Sequence, residues 1–110
     1  MARETGRTGY KVKLKKKLRE MFPGCIIQHQ DPNIIHQGIP DLLILYNDRW
    51  AMLEAKASEK SPHQPNQPHW VEFYNKQSFA SFIYPENEEE VLHALQRSLA
   101  PGKRSRNTGR

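Results

Sequence analysis

One cysteine, Cys25, stands in 110 residues. A lone thiol excludes an internal disulfide framework and any structural zinc site built on several cysteines. A reducing, cytoplasmic compartment is the expectation. No apolar run approaches the roughly 20 residues of a membrane-spanning helix. The basic N-terminus lacks an apolar core, so neither a secretory signal nor a membrane partner is expected. The mean hydropathy of −0.85 is polar, but 9% aromatic residues argue against a wholly disordered chain. Acid is missing from residues 101–110, which hold four basic residues, and scarce in residues 1–20, where two Glu face eight Lys or Arg. Residues 21–100 reverse the balance, with five basic and ten acidic residues. Basic ends around an acidic centre suit a polyanionic partner and a cation-binding core.

One domain fits this length. Residues 1–9 read as a flexible basic arm, 10–100 as the folded domain and 101–110 as a basic, flexible tail. Over Tyr10 to Phe22, Val12, Leu14, Leu18, Met21 and Phe22 recur at helical spacing, and Lys11, Lys13, Lys15, Lys16, Lys17 and Arg19 crowd the other sides. Pro23-Gly24 stops that helix. Cys25 to Gln28 predicts a short strand, and Gln30 to Gly38 a polar loop with turn chemistry at Asp31-Pro32-Asn33. Asp41 to Tyr46 is a continuous apolar run after its first residue, the pattern of a buried strand. Asn47-Asp48-Arg49 turns the chain into a second strand over Trp50 to Lys56. A Ser-, Pro- and Lys-rich loop follows. A helix runs from about Asn66 to Gln77, with Pro68 in its first turn where a missing N–H is harmless. Phe79 to Tyr84 predicts a further strand. Asn87 and Glu90 have the spacing of a capping box, and Val91, Leu92, Leu95 and Leu99 form the stripe of a last helix. The order is α-β-β-β-α-β-α. An α/β fold with a central mixed sheet flanked by helices follows.

The chemistry lies in Gly38-Ile39-Pro40-Asp41 and Glu54-Ala55-Lys56. Side chains alternate along a strand, so Glu54 and Lys56 share a face. A hairpin turning at Asn47-Asp48-Arg49 pairs residues whose numbers sum to about 95 or 96, which sets Asp41 beside Glu54 or one residue away. Two carboxylates then converge with an ammonium. Carboxylates in a cleft repel unless a cation sits between them. Hard oxygen ligands suit Mg²⁺ or Mn²⁺, and such an ion activates water and polarises a phosphate. Lys56 stands ready to orient or deprotonate the attacking water, or to neutralise charge on the phosphorane. Taken alone, a Glu-x-Lys strand is an ordinary solvated edge. Here the charges frame an apolar hairpin, and that requires a reason.

Pro40-Asp41 followed by Glu54-Ala55-Lys56 resembles the PD-(D/E)XK nuclease signature. The wider set, Gly38-Ile39-Pro40-Asp41-Leu42, the Glu-x-Lys strand, and Gln67 with Trp70 three residues later, is similar to the virus-type replication-repair nuclease (VRR-NUC) branch over roughly residues 10–99. The resemblance implies a restriction-endonuclease-like core and Mg²⁺- or Mn²⁺-dependent cleavage of DNA, branched DNA in small phage members. A phage-encoded chain would act in the host cytoplasm. It also implies Asp41 and Glu54 as metal ligands, the Ala55 carbonyl as a further ligand, Lys56 as the catalytic lysine and Gln67 as the helix glutamine, with Gln64 competing for that role. Many relatives carry a Glu on the first helix. Here only Glu20, near its end, and Glu4, before it, are available.

The expectation is therefore a structure-selective DNA endonuclease of the Holliday-junction type, working as a homodimer because resolution needs two cuts. Lys11, Lys13, Lys15, Lys16, Lys17, Lys60, Lys103, Arg104 and Arg106 are the expected phosphate contacts. A monomeric nickase or flap nuclease is the enzymatic alternative. A basic DNA-binding module with a vestigial nuclease motif is the alternative from another class. His29, His36, His63, His69 and His93 lack ligand spacing and read as polar loop or surface residues, His36 and His69 lying nearest the site in sequence. Trp50 and Trp70 read as core or rim, and Cys25 as inert.

Overall fold

The computed structural model describes residues 6–30, 39–62 and 66–101. Glu4, His36, Gly38, His63, Gln64, Lys103, Arg104 and Arg106 lie outside the described residues. The elements are α1 (Gly6–Met21), β1 (Ile26–His29), β2 (Leu42–Tyr46), β3 (Arg49–Ala55), α2 (Gln67–Gln77), β4 (Phe79–Ile83) and α3 (Glu88–Leu99), in the expected order. The four strands form one sheet in the order β1-β2-β3-β4. β1–β2 and β2–β3 are antiparallel, and β3–β4 is parallel. The chain is an α/β fold on a mixed sheet.

Alternation along the strands sorts the core into two layers. Leu42, Ile44, Ala51, Leu53, Ala55 and Ile83 face Leu14, Leu18 and Phe22 from the α1 side, and Val91, Leu92, Leu95 and Leu99 of α3. Leu43, Trp50, Met52 and Ala80 face Val71 and Tyr74 of α2 on the other side. Each fully buried leucine contributes about 1.5–3 kcal/mol relative to exposure.

Four local expectations are corrected. Helix α1 begins at Gly6, so the expected arm is already helical over Gly6–Gly9. Packing of Leu14, Leu18 and Phe22, all fully buried, outweighs the poor helix propensity of its first residues. Val12, expected in that stripe, is 40% exposed instead. The hairpin turn is two residues long: Asn47 takes φ 57°, a left-handed conformation that asparagine tolerates, and Arg49 already pairs with Tyr46. No capping box forms on α3. The Asn87 side chain accepts from Tyr84 N–H at 2.9 Å and donates to the Phe82 carbonyl at 3.2 Å, tying the helix start back to β4.

α1 and α3 are joined by side chains as well. The Tyr10 hydroxyl donates to Glu88 Oε1 at 2.8 Å, and Lys17 pairs with Glu88 Oε2. Burial first, and the Glu88 carboxylate second, hold the Tyr10 phenol far above its usual range. No helix among the described residues is long and apolar enough to cross a membrane.

Candidate active site

The β2–β3 register pairs Leu42 with Leu53, so partner numbers sum to 95. Continued by one step, that register sets Asp41 opposite Glu54. The expected juxtaposition is present: the Asp41 backbone N–H donates to Glu54 Oε1 at 3.1 Å, and the Ala55 N–H approaches Asp41 Oδ1 at 3.4 Å. Glu54 and Lys56 share the strand face that α2 covers. Gln67, the first residue of α2, bridges them: its Nε2 donates to Glu54 Oε2 at 2.9 Å and its Oε1 accepts from Lys56 Nζ at 2.7 Å. Lys56 Nζ also donates to the Pro62 carbonyl at 3.0 Å and lies 3.6 Å from Glu54 Oε2. The Lys56 backbone N–H extends the β3–β4 pairing to Ile83 at 2.9 Å, which fixes the root of the side chain.

Asp41, Glu54, Lys56 and Gln67 are the buried polar and charged residues of the described chain. Glu54 is only 1% exposed. Burying a carboxylate costs several kcal/mol unless charge and hydrogen bonds offset it. Here both are supplied, and no buried side-chain nitrogen or oxygen among the described residues lacks a partner. Ala55 joins the cluster through its N–H, whereas the expectation assigned it a role through its carbonyl.

Two neighbours escape the sequence pattern. Lys11 of α1 reaches around the end of β2 and pairs with Asp41 Oδ2 at 2.8 Å. Expected on the basic sides of the helix, Lys11 instead takes the first position of the series 11, 14, 18, 22, whose other members are fully buried. That spacing was the available signal. His29 ends β1, opposite Leu42, and its Nε2 lies 2.9 Å from Lys15 Nζ. Gln30, the next residue, donates its N–H to the Asp41 carbonyl at 2.8 Å. Burial, then the charges of Lys15 and Lys11, lower the His29 imidazole below its ordinary value.

The other expected contacts are dispersed. Lys13, Lys16 and Lys60 are exposed, and Lys17 is engaged by Glu88. Glu20 is exposed and lies nine residues beyond Lys11, about 13 Å along the helix. α1 thus turns an ammonium, not a carboxylate, toward Asp41. His69 is exposed on α2, and Trp50 and Trp70 are half-buried around Tyr74. A groove of about 560 Å³ lined by Lys17, Met21, Glu88, Leu92 and His93 opens on the α1–α3 face. It is separated by the sheet from Glu54, Lys56 and Gln67.

The donor set suits a hard divalent cation. Two adjacent buried carboxylates provide oxygen, and no group of three or more His, Cys, Asp or Glu is gathered among the described residues. Asp41 and Glu54 would hold such an ion, with backbone oxygen and water as further ligands. No protein-family model matches the chain, and comparison with curated proteins and with solved structures finds no similar one.

Proposed function

We propose that this chain is a Mg²⁺- or Mn²⁺-dependent DNA endonuclease of the PD-(D/E)XK type, selective for branched duplexes. One observation carries the reading. Asp41, just before β2, Glu54 and Lys56, at and just after the end of β3, and Gln67, the first residue of α2, are buried in contact at one end of the sheet. Structural economy alone favours apolar residues there, so a polar cluster held at this cost points to chemistry.

Asp41 and Glu54 would hold the metal, which when bound lowers the pKa of its water and polarises the scissile phosphate. Lys56 already donates to two oxygens, Pro62 O and Gln67 Oε1. That supports a role as a fixed positive charge that stabilises the charge building on the phosphate, rather than as the base that takes a proton from water. Gln67 is a positioning residue: by holding Glu54 and Lys56 through opposite ends of one amide, it fixes their separation. Lys11 is the most exposed of the charged groups, its side chain 17% accessible against 8% for Asp41. The approach to the carboxylates therefore passes Lys11, beside Lys15 and His29. This basic rim is where a DNA phosphate would arrive. Two coordinated cuts in a branched substrate would call for a homodimer.

One observation favours the non-catalytic alternative. Two ammonium groups, Lys11 and Lys56, already face two carboxylates, so the cluster is balanced in charge without a metal. Incubation with four-way, flap and linear duplexes in Mg²⁺, Mn²⁺, Ca²⁺ or EDTA decides between them. The endonuclease reading expects cleavage of the four-way junction in Mg²⁺ or Mn²⁺ and none in EDTA. Binding without cleavage under every condition would leave only the vestigial module. Preferential cutting of flaps would select the monomeric nuclease.

A further inference from the structure

The ion pair between Lys11 and Asp41 is placed oddly for a structural contact. Asp41 Oδ1 and the main chain of residue 41 are engaged from the strand side by the Ala55 N–H, by Glu54 and by Gln30. Lys11 arrives from α1, across the end of the sheet, at Oδ2. It is also the member of the cluster nearest solvent. Its four-carbon stem allows the ammonium to leave Asp41 and swing outward without disturbing Leu14 or Leu18, which anchor the same helix face.

We propose that Lys11 is a resident counter-cation of Asp41 which a divalent ion displaces. The inference rests on the metal-site reading above. Without a metal, Lys11 sets a positive charge against a carboxylate buried beside Glu54. A divalent cation at Asp41 and Glu54 adds positive charge beside two ammonium groups. Lys56 is held by Pro62 and Gln67; Lys11 has no such second anchor among the hydrogen bonds described for it, and it is the group that yields. Once released, its ammonium stands at the rim with Lys15, where it meets phosphate. Metal binding and DNA binding are then coupled through one side chain: the ion competes with Lys11 for Asp41, and DNA, by holding the released Lys11, strengthens metal binding in return.

The test is titration of Mn²⁺ into the full chain without DNA, followed by calorimetry. Lys11→Met retains the stem and deletes the charge. Lys11→Arg retains the charge. Arg19→Met removes a charge from an exposed position of the same helix, and Asp41→Asn removes the ligand. Lys11→Met is expected to bind Mn²⁺ about tenfold more tightly than the wild type, the scale of a typical coupling between sites. Lys11→Arg and Arg19→Met should match the wild type, and Asp41→Asn should lose binding. A second readout is thermal unfolding. Metal-free Lys11→Met should melt below the wild type, and saturating Mn²⁺ should raise its melting temperature by more than it raises that of the wild type. If wild type and Lys11→Met bind Mn²⁺ equally, or the variant binds more weakly, Lys11 does not compete and this inference alone falls. If no variant binds Mn²⁺ at millimolar concentration, the metal-site reading falls, and the inference with it.

Discussion

The β2–β3 hairpin places acids and bases at both of its ends, with opposite outcomes. At the turn, Asp48 and Arg49 are 93% and 52% exposed, 4.0 Å apart, and Arg49 touches only the Ser98 carbonyl besides, at 3.4 Å among its described hydrogen bonds. At the open end, Asp41, Glu54 and Lys56 are nearly inaccessible: Gln67 joins Glu54 to Lys56, and the Asp41 backbone N–H donates to Glu54. Surface pairs of the first kind contribute about 0–1 kcal/mol. A buried set costs several kcal/mol of desolvation per ion, which its internal bonds only offset. The same residue types therefore mean a solvated edge at one end and a candidate catalytic centre at the other. Burial with satisfied partners, not the Glu-x-Lys spacing, makes the distinction.

The sharpest break in that comparison is Glu54→Gln. Cleavage of four-way DNA should fall below detection in Mg²⁺, while DNA binding persists or tightens because a negative charge near phosphate is gone. A gel-shift titration beside the cleavage time course separates the two effects. Next in size, Lys56→Ala should reduce the single-turnover rate by several powers of ten. It should also cost about 3 kcal/mol in a urea melt, since Glu54 loses its counter-charge while buried. Arg49→Ala at the other end should change stability by less than about 0.5 kcal/mol.

Gln67→Ala follows, with a loss of about 2 kcal/mol because a buried donor and a buried acceptor each lose one partner, and a slower cleavage rate. Gln64→Ala should affect the rate less. Equal rates for both variants and wild type would remove glutamine from the mechanism. The smallest effect lies outside the hairpin. The Tyr10 phenol is held protonated in the fold by burial and Glu88, and its folded pKa is raised above the unfolded value. Its contribution to stability is therefore complete below about pH 10, the unfolded value, and is lost as pH rises beyond it. Tyr10→Phe should flatten that alkaline loss in thermal melts between pH 8 and 11, without altering the slope below pH 9.

Much of this arrangement was legible in the residues. Period-two alternation put Glu54 and Lys56 on one face, and the turn expected at Asn47-Asp48-Arg49 limited the register to a sum of 95 or 96, of which 95 is realised. The α3 stripe was legible because Val91, Leu92, Leu95 and Leu99 repeat at helical spacing, and all four are buried. What escaped has physical causes. Lys11 escaped because a lysine among lysines reads as solvated, although its place in the 11-14-18-22 series assigned it to the inner face. The start of α1 escaped because packing further along the helix, not local propensity, stabilises residues such as Gly6 and Gly9. Asn87 is the residue before α3, as expected, but its capping bond is missing because its side chain bonds Phe82 and Tyr84 instead of its own helix.

Asp41→Asn and Asp48→Asn make the same chemical change at the two ends of one hairpin. Under single-turnover conditions with saturating protein, four-way junction DNA and Mg²⁺, Asp41→Asn should be inactive and Asp48→Asn should cleave at the wild-type rate. Cleavage by Asp41→Asn at the wild-type rate, with protein and Mg²⁺ matched, would contradict the proposed active site.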